Sequence, residues 1–500
     1  MASLASSTPF ESILSIPGPV PLIIDNKPVT TSNTYTVLSP NDPENPPLHD
    51  VYAANLTQVN LAIESAQKAF GTWRKTTFLQ RRELLIKAAD ILKRRSEEFT
   101  ALTMSETTNS FGLAAFETWS AVTQLDEVAA NIATAMTTVQ PPALDNPFQQ
   151  AYVSRHPFGV VLSVVPWNGP IALSVRAVIN PIAAGNTVIL KTSEYSPKSN
   201  MIIVDCLREA GIPDGVVNVV HVNREDGWGI LESMIKHPAI RKVNFTGSDA
   251  TATHIAQICG KWLKPVMLEL GGNATQIVLE DADVEHAAKC AAFGKFLHSG
   301  QVCMSTNNVL VHESIADVFS DAVKRELVNV VAGHAVGPNQ LRGLFNPASV
   351  RRVQQLVEQA RNAGAKVIIS EVTNVMQPVV LDHVTPNMDI FRTEIFGPAL
   401  GISRFKTVEE AITVANESEY GLAAAVHGKD VARAMQVASQ IDCGNVSVNS
   451  HTLDGSPRLP YGGWKKSGFG VFNGLQGIQE FTQIKVTVVS PIGYAQSLSG

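Results

Sequence analysis

Cysteine is scarce in this 500-residue chain and follows no pairing pattern. Cys206, Cys259, Cys290, Cys303 and Cys443 are odd in number, widely spread, and include no C-x-x-C pair. That excludes a disulfide framework and a cysteine zinc site, and no metal is expected. Long apolar runs are missing too. The most apolar stretch, Gly159 to Leu190, is broken by Pro166, Pro170, Arg176, Asn180 and Pro181, so it does not read as a membrane span. There is no basic block: 39 Lys and Arg stand against 45 Asp and Glu, a net charge of −6. Neither nucleic acid nor an anionic membrane is therefore an expected partner. The opening residues are rich in Ser and Pro and lack the basic-then-apolar pattern of a secretory signal. The closing Ser-Leu-Ser-Gly matches neither a peroxisomal address nor a prenylation box, so the expected compartment is cytoplasmic. No G-x-G-x-x-G occurs, so any nucleotide binding must use a different geometry.

What is present is a chain with large cores, 45% hydrophobic and 17% charged. Its length exceeds one ordinary core, so two or more domains are expected. Leu22 to Val37 reads as a hairpin turning at Asn26-Lys27-Pro28. Helical periodicity follows over Thr57–Trp73, Leu79–Phe99 and Met104–Thr138. Prolines 141, 142 and 147 break the pattern, and an extended run from Gln149 to Arg155 looks like an excursion toward a partner subunit. From Gly159 to Gln276 strand-like runs (Val160–Val165, Thr187–Leu190, Val216–Val220, Lys242–Thr246, Val266–Leu270) alternate with helical ones. That spacing means βαβ units and a parallel sheet. A second alternating series follows, including a helix over Asp283–Leu297, a strand over Asn308–Val311, a strand over Lys366–Ser370 and a capping box at Thr407 and Glu410. A glycine-rich loop at Tyr461–Gly470 and a β-rich tail at Ile484–Val489 close the chain. The expected class is α/β: two parallel-sheet α/β domains, one of them Rossmann-like, plus a small β oligomerisation element. The first domain takes residues 1–138 and 156–268, the second 269–475, and the bridging element 139–155 and 476–500.

Cys303 sits in a small-residue loop, Ser299 to Met304, between a helix and a strand, where a substrate can reach it. It is the candidate nucleophile. Four stretches at the ends of strands stand before it. Pro166-Trp167-Asn168 places an amide that can donate to an oxyanion, or can simply cap the following helix. Lys191 and Glu194 can grip the hydroxyls of a ribose, or form a surface ion pair. Gly247-Ser248 opens a helix whose free N–H groups favour an anion such as a pyrophosphate. Glu269-Leu270-Gly271-Gly272 offers a carboxylate beside flexible backbone: a general base, or a solvated strand-end acid.

With Glu394-Ile-Phe396-Gly-Pro and Pro460-Tyr-Gly-Gly further on, this ordered set resembles the aldehyde dehydrogenase superfamily, over about Leu22 to Val489. The resemblance implies an NAD(P)-dependent oxidation of an aldehyde to the acid. Cys303 would form a thiohemiacetal and then a thioester, Asn168 and the Cys303 N–H would hold the oxyanion, and Glu269 would activate water. Residues 1–138 and 156–268 would bind the cofactor and 269–475 would carry catalysis. Lys191 and Glu194 would hold the adenosine ribose. Trp167, Gly247 and Ser248 would line the pyrophosphate side, Glu394 and Phe396 would hold the nicotinamide ribose, and Pro166 and Leu270 would also bind the cofactor. The Glu194 carboxylate favours NAD, with NADP possible. A homodimer or homotetramer is implied.

Two departures stand out. Phe472 occupies a place where hydrolytic members sometimes carry a second acid, so Glu269 serves alone, and Thr275 replaces a frequent proline. Arg176 lies about two helical turns after Asn168. The stretch from Trp167 to Ala177 looks like the salicylaldehyde and vanillin branch, so Arg176 is expected to bind a hydroxyl or carboxylate on an aryl aldehyde, or else to satisfy helix-end carbonyls. Val302 and Met304 are candidate pocket walls. The rival readings are a CoA-acylating dehydrogenase, a catalytically silent structural protein on the same fold, and a thiol esterase.

Overall fold

The computed structural model describes residues 10–492 except 43, 45, 142, 143, 145, 147, 334–339 and 370–375. Residues 1–9 and 493–500, the expected outer ends of the first domain and the bridging element, lie outside the described residues, as do Pro142, Pro147 and Ser370.

Two sheets organise the chain. The first runs in the order Lys27–Val29, Leu22–Ile24, Val217–Val220, Thr187–Lys191, Val160–Val164, Ile240–Thr246, Val266–Glu269, Gly468–Phe469. Its five central strands are parallel, and the pairings at both edges are antiparallel. The central strands are β-branched and buried on both faces, as a parallel sheet covered by helices requires. The parallel part starts in the middle at Val160–Val164, works outward one way to Val217–Val220, then crosses back to Ile240–Thr246. That crossing is a topological switch point, where ligands bind beyond the carboxyl ends of strands. The second sheet runs in the order Lys366–Ile369, Val379–Asp382, Ala399–Phe405, Thr306–His312, Ala274–Val278, Ala423–His427, Asn445–Val448, parallel except at its first edge.

The link from Leu270 to Asn273 joins the carboxyl end of the first sheet directly to the amino end of the second. Everything assigned to catalysis gathers at this junction. The junction is also crossed late in the chain. Gly468–Phe469 pairs with Leu268 and Glu269 of the first sheet, and Phe472, Ile478 and Phe481 pack into the first sheet's core. A third element, the antiparallel pair Gln150–Pro157 and Thr482–Val489, stands apart from both sheets.

Local structure differs from the sequence reading at three places. The hairpin closes at Asp25-Asn26, both left-handed (φ 57° and 59°), which suits a two-residue turn. It ends at Val29, and Thr34–Leu38 pairs instead with Pro47–Tyr52. The two long helical runs resolve into Phe78–Arg94, Ser96–Glu106 and Phe111–Ala135. The break falls at Thr107 to Ser110, where Thr107 is extended and the Ser110 side chain caps the next helix. At the expected capping box, the Thr407 side chain does cap, but Glu410 reaches back to the Lys406 N–H (2.8 Å). No helix among the described residues is long and apolar enough to cross a membrane.

Candidate active site

Cys303 lies in the loop between helix Val284–Phe296 and strand Thr306–His312. Asp283 starts that helix by accepting the His286 N–H. The helix stops because three successive residues take left-handed backbone: His298 (φ 54°), Ser299 (φ 55°) and Gly300 (φ 74°). For His and Ser this costs about 1–2 kcal/mol each, so the surroundings must hold it. At position 300 a Cβ would meet the Gly397 carbonyl oxygen at 2.3 Å, which requires glycine. Three side chains fasten the loop. Ser299 Oγ donates to the Arg342 carbonyl. Buried Gln301 donates to Thr108 Oγ1 (3.1 Å) and the His298 carbonyl (3.0 Å), and accepts the Phe345 N–H (2.8 Å). Asn168 Nδ2 donates to the Gln301 carbonyl at 3.0 Å. An amide nitrogen carries two hydrogens, so Asn168 keeps a second donor in reserve. Cys303 is left half-buried between half-buried Val302 and Met304.

Glu269 ends strand Val266–Glu269 and is 1% exposed. One oxygen, Oε2, forms a buried ion pair with Arg176 Nη2. The other, Oε1, is buried with no hydrogen-bond partner. Arg176 sits on helix Pro170–Ala183, reaches Thr246 Oγ1 (3.3 Å), and lies over the Phe472 ring at 4.2 Å and the Tyr461 ring at 5.7 Å. Tyr461 and Phe472 are tied by two backbone hydrogen bonds of 2.8 and 2.7 Å, and Tyr461 Oη stands 4.0 Å from Cys303 Sγ. Burial pushes the Cys303 thiol well above its ordinary range. The Glu269 carboxylate beside it pushes the same way, and Arg176 opposes. The resting group is thus a thiol, poised between a carboxylate and a guanidinium.

Four helices follow parallel strands at the carboxyl edge of the first sheet, Pro170–Ala183, Pro197–Ala210, Gly227–Lys236 and Asp249–Lys261, and each start offers free N–H groups. Two are already filled. Glu117 accepts the Ile171 and Ala172 N–H groups (3.1 and 3.3 Å), and Glu106 accepts those of Lys198 and Ser199 (3.1 and 2.7 Å). Gly227–Lys236, after the outer parallel strand Val217–Val220, has no side-chain cap. Asp249–Lys261, beside the switch point, follows Gly247-Ser248 and is capped from within its own first turn, Ser248 Oγ accepting the Thr251 N–H and Asp249 Oδ1 the Ala250 N–H (2.8 Å). A Cβ at Gly247 would meet the Phe245 ring at 2.5 Å, so the backbone turns closely there. Lys191 and Glu194 face each other across 3.7 Å at the end of Thr187–Lys191. Glu394 accepts the Gly272 N–H at 3.1 Å, and burial lifts its carboxyl to about 7. Trp167 packs on Phe345 (4.0 Å) and stands edge-on to Phe396 (6.2 Å). A helix start beside the switch point that no other element caps, a carboxylate and an ammonium for a ribose, and a second carboxylate near the thiol fit a dinucleotide.

The profile of the aldehyde dehydrogenase family matches residues 29–487. The chain belongs to that family. It is 39% identical over 469 residues to a vanillin dehydrogenase of Pseudomonas sp. (strain HR199 / DSM 7063), covering 93% of this chain and 97% of the relative. It is 37% identical over 438 residues to a benzaldehyde dehydrogenase [NAD(+)] of Pseudomonas putida, covering 86% and 88%. A salicylaldehyde dehydrogenase from Pseudomonas putida G7, solved with salicylaldehyde, superposes with a TM-score of 0.91 at 34% identity, covering 95% of this chain and 99% of that one. An aldehyde dehydrogenase oxidises its aldehyde with NAD(P) as hydride acceptor, so the cofactor fit and the family agree.

For this aldehyde dehydrogenase the structure gathers Cys303, Glu269 and Arg176 at one point, joins Asn168 to them through Gln301, and joins Glu394 through Gly272. Among the described residues the Lys191 and Glu194 side chains form an ion pair with each other, and the Pro166 carbonyl accepts from Asn200 Nδ2 (3.2 Å). The Leu270 side chain lies in the hydrophobic core, leaving its backbone, whose N–H donates to the Ser467 carbonyl (3.0 Å). Arg176 contacts the Glu269 carboxylate and does not satisfy helix-end carbonyls. Sequence reasoning passed over Gln301, Tyr461 and Glu117. Only Glu117 left a signal: an acid on the apolar stripe of a helix, beside buried Ala114 and Ala121, must have a buried partner.

Proposed function

We propose that the chain oxidises an aromatic or similarly bulky aldehyde to its carboxylic acid, with NAD preferred. The observation that carries this reading is one buried cluster: Glu269, from one sheet, pairs with Arg176, which lies over the Tyr461 ring, and Tyr461 Oη stands 4.0 Å from the Cys303 thiol in the loop of the other. The aromatic class rests on the vanillin, benzaldehyde and salicylaldehyde enzymes it is similar to. Cys303 gives its proton up to solvent, and the thiolate Sγ adds to the aldehyde carbon. The free hydrogen of Asn168 Nδ2 and the Cys303 N–H stabilise the resulting oxyanion. The cofactor, when bound, supplies the hydride acceptor. Lys191 and Glu194 would hold its adenosine ribose, Trp167, Gly247 and Ser248 its pyrophosphate side, and Glu394 and Phe396 its nicotinamide ribose, with Pro166 and the Leu270 backbone also binding it. The Glu194 carboxylate accepts from a free 2′-hydroxyl and repels a 2′-phosphate, which favours NAD over NADP. The thioester is then cleaved by water that has given a proton to Glu269. Val302 and Met304 border the thiol as pocket walls.

The carboxylate at the thiol speaks against a CoA-acylating enzyme, which needs no water-activating base, and the whole set against a silent scaffold. Aliphatic, aryl and polyketide-like aldehydes assayed with NAD or NADP, with and without CoA, test the reading. It predicts CoA-independent NADH formation with the highest kcat/KM on aryl aldehydes, and a preference for alkyl aldehydes or a requirement for CoA overturns it.

We further assign 1–138 and 156–268 to cofactor binding, 269–475 to catalysis, and 139–155 with 476–500 to assembly. The pair Gln150–Pro157 and Thr482–Val489 exposes Ile484, Val486 and Val488 on one face, an apolar row suited to a homodimer or homotetramer. Five free thiols and no disulfide suit a cytoplasmic protein.

A further inference from the structure

The buried ion pair at Glu269 divides the carboxylate into two unlike oxygens. Oε2 is held by Arg176 Nη2, while Oε1 is equally buried and has no partner. A carboxylate free to rotate would present either oxygen, or turn away from the thiol. This one cannot turn without breaking a desolvated ion pair, which is strongly unfavourable. Arg176 is itself immobilised. Its guanidinium stacks on Phe472 at 4.2 Å, Phe472 is locked to Tyr461 by backbone hydrogen bonds, and Nη2 also reaches Thr246 Oγ1. Phe472 is fully buried and Arg176 is 5% exposed. The guanidinium is therefore a fixed anchor: its Nη2 is engaged by Glu269 and Thr246 before any aldehyde enters, while Nε is buried without a hydrogen-bond partner.

We propose that Arg176 is a positioning residue for the hydrolytic base, anchoring Glu269 Oε2 so that Oε1 alone faces the acylated Cys303. This rests on the nucleophile and base roles given above. In the step it serves, a water O–H bond breaks and its proton goes to Glu269 Oε1. The water oxygen bonds to the thioester carbon, the C–S bond breaks, and its electron pair returns to Cys303 Sγ. Arg176 gives and takes no proton. It acts on deacylation and not on recognition of aldehyde ring substituents.

The test separates the two half-reactions without cofactor. 4-Nitrophenyl benzoate acylates a reactive thiol directly; the 4-nitrophenolate burst reports acylation and the later steady rate reports deacylation. With wild type, a burst that Cys303→Ala abolishes is expected. Its absence overturns the nucleophile reading itself, independently of Arg176. Arg176→Met is expected to keep the burst and slow the steady rate about 10- to 100-fold, the cost of a misplaced base. Arg176→Lys, which keeps a charge at the site, is expected to recover part of the loss. In a Glu269→Gln background Arg176→Met is expected to slow deacylation no further, because there is no base left to position. An unchanged deacylation rate in Arg176→Met overturns the proposal. So does an equal loss in the Glu269→Gln background, or an effect confined to the KM of hydroxylated aryl aldehydes. Should Arg176→Met fail to fold, the Lys variant decides: a wild-type burst with deacylation slower than wild type is expected, and wild-type deacylation or a selective KM change overturns the proposal.

Discussion

The Cys303 thiol is kept protonated by its surroundings, through burial first and the Glu269 charge second, while Arg176 works in the opposite sense. A negative neighbour disfavours the thiolate and a positive one favours it. The signs of two substitutions follow. Glu269→Gln removes the anion, so the iodoacetamide alkylation rate of Cys303 is expected to rise at lower pH than in wild type. Arg176→Met removes the cation, so its profile is expected to move to higher pH. Alkylation rates of the cofactor-free protein measured across pH 6 to about 10.5 check both; shifts of the same sign in the two variants would contradict this electrostatic account. The same residues show why Cys303 needs help: in the free enzyme at neutral pH most of it is not a nucleophile.

At the scale of elements, the junction between the sheets is built on close approach. A Cβ at Gly272 would lie 2.4 Å from the Cys303 carbonyl oxygen and 3.3 Å from Leu422 Cβ, neither of which can yield freely. Gly272→Ala is expected to cost about 1–3 kcal/mol in stability, as overpacking does, and to lower kcat by displacing the nucleophile loop; thermal unfolding and steady-state kinetics together check it. The helix that carries Asn168's neighbour Pro170 and Arg176 begins on Glu117, whose carboxyl burial lifts to about 8 from an ordinary 4.5. Because the folded state holds that proton where the unfolded state has lost it, stability falls as pH rises from about 4.5 to 8. Glu117→Gln keeps the hydrogen-bonding shape and removes the titration. Melting temperatures at pH 5 and 8 are expected to show the variant gaining on wild type with rising pH, and parallel curves would refute it. The alternation of strands and helices, and the ordered residues at strand ends, were legible in the sequence because period and turn chemistry are local. The Arg176–Glu269 pair was not, since the two residues come from a helix and a strand joined only by packing. Nor was the loop's left-handed run at His298 and Ser299, where tertiary contacts through Gln301 override local preference. The helix break at Thr107 to Ser110 was hidden for a related reason: apolar periodicity continues across it, and the chain turns there to bring Thr108 to Gln301.

For the whole molecule, the two sheets meet end to end, so the proposed nucleophile Cys303 and the proposed base Glu269 come from different cores. The late segment Gly468–Phe469 and Phe472 bind the second half back onto the first. The separate strand pair leaves Ile484 (62% exposed) and Val486 (59%) on its surface, a row that association would cover. Val486→Lys is expected to shift the protein toward the monomer by light scattering while leaving the helix and sheet content of the subunit unchanged; an unaltered mass would place the interface elsewhere. The central claim, that Cys303 carries the acyl group and Glu269 releases it, is met most directly by mass spectrometry. Glu269→Gln protein is mixed with NAD and benzaldehyde, denatured in acid, digested, and the peptide containing Cys303 weighed. The account predicts one benzoyl group on Cys303, building up in the variant and sparse in wild type. A variant that forms NADH yet carries no acyl group on Cys303, or carries it on another residue, would contradict it.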